Sequence, residues 1–330
     1  MSSDIVDFLV IVPTYRRPQF LAEALKSALG QPDVSKRIIV VDDCPDGSAQ
    51  RITASIDASL IYLKNPHPSG GWPGRVRNFG FDAAIRLGIK ARFVHFLDDD
   101  DTVPYGHYAR VKQAFAAHRD IGVVFGILRP FCAFSEDAQR RERQEAQLRE
   151  RRQEFARAAR LAWIYHHVGA TLMLGFLSKW LYRSHAIFGQ YMFLCSGGII
   201  RYEQVVALGG FDPQIRITED YEFFTRAIRA GGAHFLERIS VNYRLGSIES
   251  LWNPLEPSTQ EEMHHAAEVR HYLTRRYLRL QSEFGFFRFR AKRLAFQFVT
   301  WALDTAVIPL MDRFGLNGSR RATPPKPIQV

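Results

Sequence analysis

The first 130 residues alternate two kinds of segment, and that alternation constrains the fold more than anything else in the chain. Short apolar or β-branched runs fall at Phe8–Val12, Ile38–Val41, Leu60–Leu63, Phe93–Leu97 and Ile121–Phe125. Between them lie stretches with apolar residues at helical spacing, at Gln19–Leu29, Arg77–Leu87 and Tyr108–Ala117. Strands alternating with amphipathic helices imply a mostly parallel sheet covered on both faces. In such sheets ligands bind beyond the carboxyl ends of the strands. Two acidic clusters, Asp42-Asp43 and Asp98-Asp99-Asp100-Asp101, directly follow strands, so the pattern sets them on that edge.

The rest of the chain changes character several times, without an internal repeat. Residues 136–160 mix eight arginines with six carboxylates and show almost no apolar stripe. That composition predicts a solvated helix laced with salt bridges; the functional alternative is a mobile arm near an anionic acceptor. Leu161–Leu194 is apolar and aromatic, and Ile199–Ala230 returns to compact α/β patterning. Asn253–Ser258 reads as a linker, followed by helices to about Phe314 and a Pro-rich end from Gly318.

Composition excludes several classes. The 330 residues are 46% hydrophobic and 24% charged, ordinary globular usage, which argues against wholesale disorder. No apolar run is long enough to cross a bilayer, and the first residues read as a strand, not a leader. Cys44, Cys132 and Cys195 form no close pair, so neither a disulfide framework nor a cysteine zinc site is expected; a reducing cytoplasm fits. The Asn317-Gly318-Ser319 sequon then reads as a chance match. The net charge of +10 is uneven: residues 1–110 carry 13 basic and 13 acidic residues, whereas residues 111–330 carry 31 and 21. An excess confined to the later part points to a local anionic partner. Nucleic acid is not expected, because no recognised binding motif accompanies the charge.

Asp98–Asp101 is the strongest local signal. Four adjacent carboxylates repel, and ending a strand does not require them. A divalent cation relieves that cost, and hard oxygen ligands suit Mg²⁺ or Mn²⁺ shared with substrate phosphates. The alternative, a polar turn with Asp98 or Asp101 as a helix cap, uses one carboxylate and leaves three unexplained. GxGxxG after the first strand, a phosphate-loop GxxxxGK[ST], HExxH and GxSxG are all missing. His166-His167 and His264-His265 are adjacent, a poor spacing for metal ligands on a helix.

Taken in order, these segments resemble the family-2 glycosyltransferases of the GT-A fold. Ile11-Val12-Pro13-Thr14-Tyr15 resembles the opening strand and nucleotide-side loop, and Val40-Val41-Asp42-Asp43 with Asp46-Gly47-Ser48 the second strand and acidic turn. Arg77-Asn78-Phe79-Gly80 resembles the ARNxG helix start, with Val76 in place of the alanine. Phe96–Asp101 resembles the DXD motif; Gly209-Gly210-Phe211-Asp212 and Thr218-Glu219-Asp220 resemble the acceptor-side elements. The likeness covers about residues 8–245. Cys44-Pro45 alters the usual acidic turn, the segment between the DXD and acceptor elements is unusually long, and no QxxRW follows Asp220. The last departure argues for transfer of one sugar, or a few, over polymer extrusion.

The resemblance implies an inverting, metal-dependent transferase acting on a nucleoside-diphosphate sugar, with UDP the first choice and dTDP sharing its imide edge. It implies synthesis of bacterial-type surface glycan or glycoconjugate. A non-catalytic sugar-nucleotide binder of the same fold is the alternative. By the same resemblance Asp100 ligates the cation, with Asp99 and Asp101 weaker candidates. Asp98 and Asp99 face the donor, Pro13, Thr14, Tyr15, Asp43 and Arg77 surround the nucleotide, and Asp220 is the general base supported by Glu219. The expected plan is a nucleotide-sugar half at residues 1–130 and a helical insertion at 131–195. An acceptor half follows at 196–252 and a helical extension at 253–330. Residues 270–293 hold eight basic residues and one acid among aromatic ones. That suits docking on an anionic membrane surface, peripheral on its inner face, or on a lipid-linked acceptor. Packing on the catalytic domain or a homodimer interface is the rival reading.

Overall fold

The computed structural model describes residues 5–171, 175–188, 193–245, 282–283 and 285–313. The linker at Asn253–Ser258, His264-His265, most of the basic stretch before Phe286 and the Pro-rich end lie outside the described residues.

Seven strands form one sheet: β1 (Val6–Thr14), β2 (Lys36–Asp42), β3 (Ile61–Lys64), β4 (Ala91–Phe96), β5 (Val123–Cys132), β6 (Gly198–Arg201) and β7 (Ala233–Leu245). Their order is β3-β2-β1-β4-β6-β5-β7, and β6 alone runs antiparallel to its two neighbours. The fold is thus the α/β arrangement of the GT-A class. β1 shows why its run is unbroken in the sequence. Leu9 and Ile11 enter one core and Phe8, Val10 and Val12 the other, all with no exposure, as the period-two alternation of a strand between two layers requires.

Helix α1 (Pro18–Leu29), α2 (Gln50–Ile56) and α4 (His107–Ala117) lie on the side where Leu21, Leu25, Val111 and Phe115 join Phe8 and Val10. The opposite core draws Val76 and Phe81 from α3 (Pro73–Arg86), Val205 from α7 (Tyr202–Leu208) and Phe223 from α8 (Glu219–Gly231). Helix α3 starts at Pro73, four residues before the expected Arg77, because a proline already fits the first turn of a helix. Gly80 lets α3 sit close on the sheet: a Cβ there would come within 2.8 Å of Ile11 Cγ2 and Val41 Cγ2.

The charged stretch forms the first two thirds of α5 (Ala138–Thr171), and α6 (Gly175–Phe188) follows it in the chain. It carries the expected exposed ion pairs, Arg141–Glu145 at 3.2 Å among them. It also buries Leu148 and Phe155, so the helix is packed on the body and not only solvated. Phe155 meets the Tyr243 ring edge-on at 5.7 Å. Helix α9 (Phe286–Ala302), a π-helical turn at Leu303–Val307 and α10 (Ile308–Arg313) follow, with Phe289, Phe296 and Ile308 buried.

Candidate active site

One cleft of about 430 Å³ opens where the carboxyl ends of β1, β2 and β4 face the start of α8. The structure brings Pro13, Thr14, Tyr15, Asp43, Arg77, Asp98, Asp99, Asp100, Glu219 and Asp220 together around it. Asp101 is not among its lining residues. Its carboxylate is buried, accepts a 3.0 Å bond from the Arg244 backbone N–H, and leaves its second oxygen without a partner. Burial pushes that carboxyl well above the ordinary range.

Asp42 and Asp43 divide their labour sharply. Asp42 is fully buried and accepts from the N–H groups of Cys44 (2.9 Å) and Ala49 (2.8 Å) and from the Tyr62 hydroxyl (3.0 Å), so it builds the turn. Asp43 lines the cleft and is fixed by Asn65 Nδ2 at 2.7 Å, the Ser69 N–H at 2.9 Å and the Ser69 hydroxyl at 2.8 Å. The loop bearing Ser69 continues through Gly70 and Gly71, both at positive φ, to Trp72 on the cleft wall.

Arg77 is 3% exposed, which excludes a surface charge. Its guanidinium donates at 2.6 Å to Asp98 from one nitrogen and at 2.6 Å to Glu219 from another, joining the end of β4 to the start of α8. A planar fork with several donors can span two carboxylates in this way. The neighbouring motif residue is structural. The Asn78 side-chain amide donates to the Phe211 carbonyl and accepts from the Phe211 N–H, both at 2.8 Å, clamping α3 to the Gly209–Asp212 turn.

The turn at Cys195–Gly197 ties the two acidic groups to one support. The Ser196 hydroxyl accepts from the Asp98 N–H at 3.0 Å, and the Cys195 N–H donates to Asp220 at 3.2 Å. The other Asp220 oxygen accepts from the Tyr221 N–H at 2.7 Å, in the first turn of α8. The helix dipole favours ionisation there, yet burial outweighs it and raises the Asp220 carboxyl. Burial likewise pushes Glu219 up to about 7, opposed by Arg77.

Arg17 is the residue that sequence reading missed. It donates to Asp100 at 2.8 Å and to Asp99 at 3.3 Å, while Thr14 donates its hydroxyl to Asp99 at 2.7 Å. Asp99 is buried, and its carboxyl is pushed up to about 7 by that burial. The available signal was an arginine three residues after the strand-ending Thr14, which is weak without the partner strand. Thr218, also on the cleft, is a β-branched residue at φ 69° whose buried hydroxyl has no partner. Such strain at a cleft marks a functional segment.

Among the described residues no three His, Cys, Asp or Glu side chains converge as a ready-made metal cage. The donor chemistry nevertheless suits a shared cation. Six carboxylates line the cleft (Asp43, Asp98, Asp99, Asp100, Glu219, Asp220) against four guanidiniums (Arg16, Arg17, Arg77, Arg216). Hard oxygens left in excess beside room for phosphates match the way Mg²⁺ is held, by one or two carboxylates and the substrate.

The model of the family described as "Glycosyl transferase family 2" matches residues 9–179, more than half of the chain. The chain belongs to that family. It is similar to the succinoglycan biosynthesis protein ExoO of Rhizobium meliloti, 29% identical over 232 residues that make up 68% of this chain and 57% of that protein. It is also similar to the GalNAc(5)-diNAcBac-PP-undecaprenol beta-1,3-glucosyltransferase of Campylobacter jejuni, 32% identical over 120 residues, 36% of each chain. It therefore spans 57% of the length of the first relative and 36% of the second. Among solved structures, S. aureus TarS 1-349 in complex with UDP-GlcNAc shares the fold, with a TM-score of 0.50 and 17% identity, covering 80% of this chain and 66% of that one. The family match covers the whole donor side of the cleft and runs on to residue 179, but stops before Glu219 and Asp220.

Proposed function

We propose that the chain is an inverting glycosyltransferase that moves one sugar from a nucleoside diphosphate to an acceptor hydroxyl in the assembly of a bacterial surface glycan or glycoconjugate. The observation that carries this reading is the opposition of two acidic groups across one cleft: Asp98–Asp100 on the donor side and Asp220 on the other, with Arg77 between them. Residues 1–130 hold the nucleotide sugar, 131–195 form a helical insertion, 196–252 present the acceptor side, and 253–330 extend the chain.

The loop Pro13–Tyr15 and Asp43 seat the nucleoside. Asp43 accepts from the base N–H, which favours UDP among the diphosphates and leaves dTDP as its close analogue. Arg77 orients Asp98, which contacts the donor, and Glu219, and Asp100 would hold Mg²⁺ or Mn²⁺. That cation supplies Lewis-acid neutralisation of the charge growing on the departing diphosphate. Asp220 takes the acceptor proton on its carboxylate; burial raises its affinity for protons, which makes it a stronger base. The acceptor class we infer is carbohydrate, free or lipid-linked. The undecaprenol named for the Campylobacter jejuni relative supports the lipid-linked form.

The test is a screen of nucleotide sugars with Mn²⁺ and Mg²⁺ over candidate acceptors, scored by release of nucleoside diphosphate. Release from a UDP-sugar with β-linked product from an α-linked donor is expected. Binding of UDP-sugars without release on any acceptor would leave a non-catalytic binder. Preference for ADP-sugars would overturn the assigned role of Asp43.

A further inference from the structure

Helix α9 has two apolar faces, one buried against the described core and one exposed. Phe289 and Phe296 are buried, the latter edge-on to His185 at 5.7 Å, and Val299 and Leu303 pack beside them. On the other face Phe287, Leu294, Phe298 and Trp301 are 84%, 65%, 66% and 61% exposed. Their spacing of seven, four and three residues stacks them in one stripe along the helix. At 100° per residue, Arg288 flanks the stripe on one side and Arg290 and Arg293 on the other. All three arginines are exposed, and no acidic residue falls within α9. No helix among the described residues is long and apolar enough to cross a membrane.

We propose that α9 docks this protein on an anionic phospholipid surface, lying in the plane of the interface. Phe287, Leu294, Phe298 and Trp301 enter the acyl boundary while the arginines meet lipid phosphates. Charge complementarity selects this occupant over a second copy of the chain. Two such helices face to face would set one cluster of arginines against another, whereas an anionic surface attracts them all. Large aromatic side chains beside arginines also suit the boundary between headgroups and acyl chains. The inference rests on the proposed transferase reading only in what docking would achieve, the delivery of a lipid-linked acceptor to the cleft.

Co-sedimentation of the full chain with phosphatidylcholine vesicles, with and without phosphatidylglycerol, tests it. Binding is expected only with phosphatidylglycerol, and it weakens in high salt. Arg288→Gln should weaken it about fivefold, the usual contribution of one basic residue near such a surface. Phe298→Glu with Trp301→Glu should abolish it. Both positions face outward, so thermal melting and nucleoside-diphosphate binding should stay as in the parent. No sedimentation with anionic vesicles would overturn the proposal, as would unchanged sedimentation of the double variant. A stable dimer that the double variant splits, with no lipid binding in either, would assign the stripe to self-association instead. Nucleotide binding is read in the same preparations without vesicles, so a failure of docking is distinguishable from a failure of the transferase reading.

Discussion

At the scale of single residues, Arg77 concentrates the design. It is buried between Asp98 and Glu219, and removing one partner from such a group leaves charges stranded without water. Arg77→Met should therefore lower stability by about 3 kcal/mol, read from denaturant unfolding, and should also abolish turnover. Asp220→Asn is the contrasting case. The amide keeps the size of the side chain, so nucleotide binding should persist while the transfer rate falls about 10³-fold in single-turnover assays. Glu219 makes a pH prediction. Its carboxyl is raised by burial from 4.5 to about 7, so the folded chain keeps a proton that the unfolded chain releases. The associated stability is present below the unfolded value and is lost as pH rises through about 7. The melting temperature of the metal-free protein should fall between about pH 5 and pH 8, and Glu219→Gln should flatten that fall.

Among elements, what could be read in advance depended on whether the signal was local. The runs at Phe8–Val12, Ile38–Val41 and Phe93–Leu97 announced β1, β2 and β4, because strands buried on both faces must be apolar throughout. Helix α2 gave no such sign: seven residues with only Thr53 buried carry no stripe. β7 was hidden for a different reason. Two register shifts against β5, around Ile127, break the alternation that would have marked it. The same logic separates the site residues. Asp98–Asp100 and Asp220 stand in local patterns, whereas the role of Arg17 depends on the register that sets β1 beside β4. Helix α5 was half legible, since arginines dominate the composition of its charged part while Leu148 and Phe155 pack that part on the body. Phe155→Ala should lower stability by about 3 kcal/mol. Because its ring braces Tyr243 on the cleft wall, the variant should also raise the KM for donor, which a purely peripheral helix would not do.

Over the whole molecule, the cleft is where separate parts of one sheet are held together. Its donor side is built from β1, β2 and β4, its other side from the 195–197 turn and α8, and the direct ties between them run through Arg77 and Ser196. Any ligand that touches both sides should therefore stabilise the entire fold and not a local segment. Charge decides which ligand can do so. Six carboxylates and four guanidiniums line the cleft, and a nucleoside diphosphate adds further negative charge to it. UDP alone should bind weakly, and UDP with a divalent cation should bind well, because the cation offsets the excess at the point where the phosphates enter. At a ligand concentration about a hundredfold above Kd, the coupled gain is about 2.7 kcal/mol, which for a chain of this size raises the melting temperature by about 4 °C. Thermal melting with UDP should thus shift upward when Mn²⁺ or Mg²⁺ is present and return to the apo value on chelation. In Asp100→Asn the metal-dependent part of the shift should be lost while any small metal-free shift remains. An equal shift with and without metal in the parent would mean that Arg17 and Arg77 alone neutralise the diphosphate, and the assignment of Asp100 to the cation would fall.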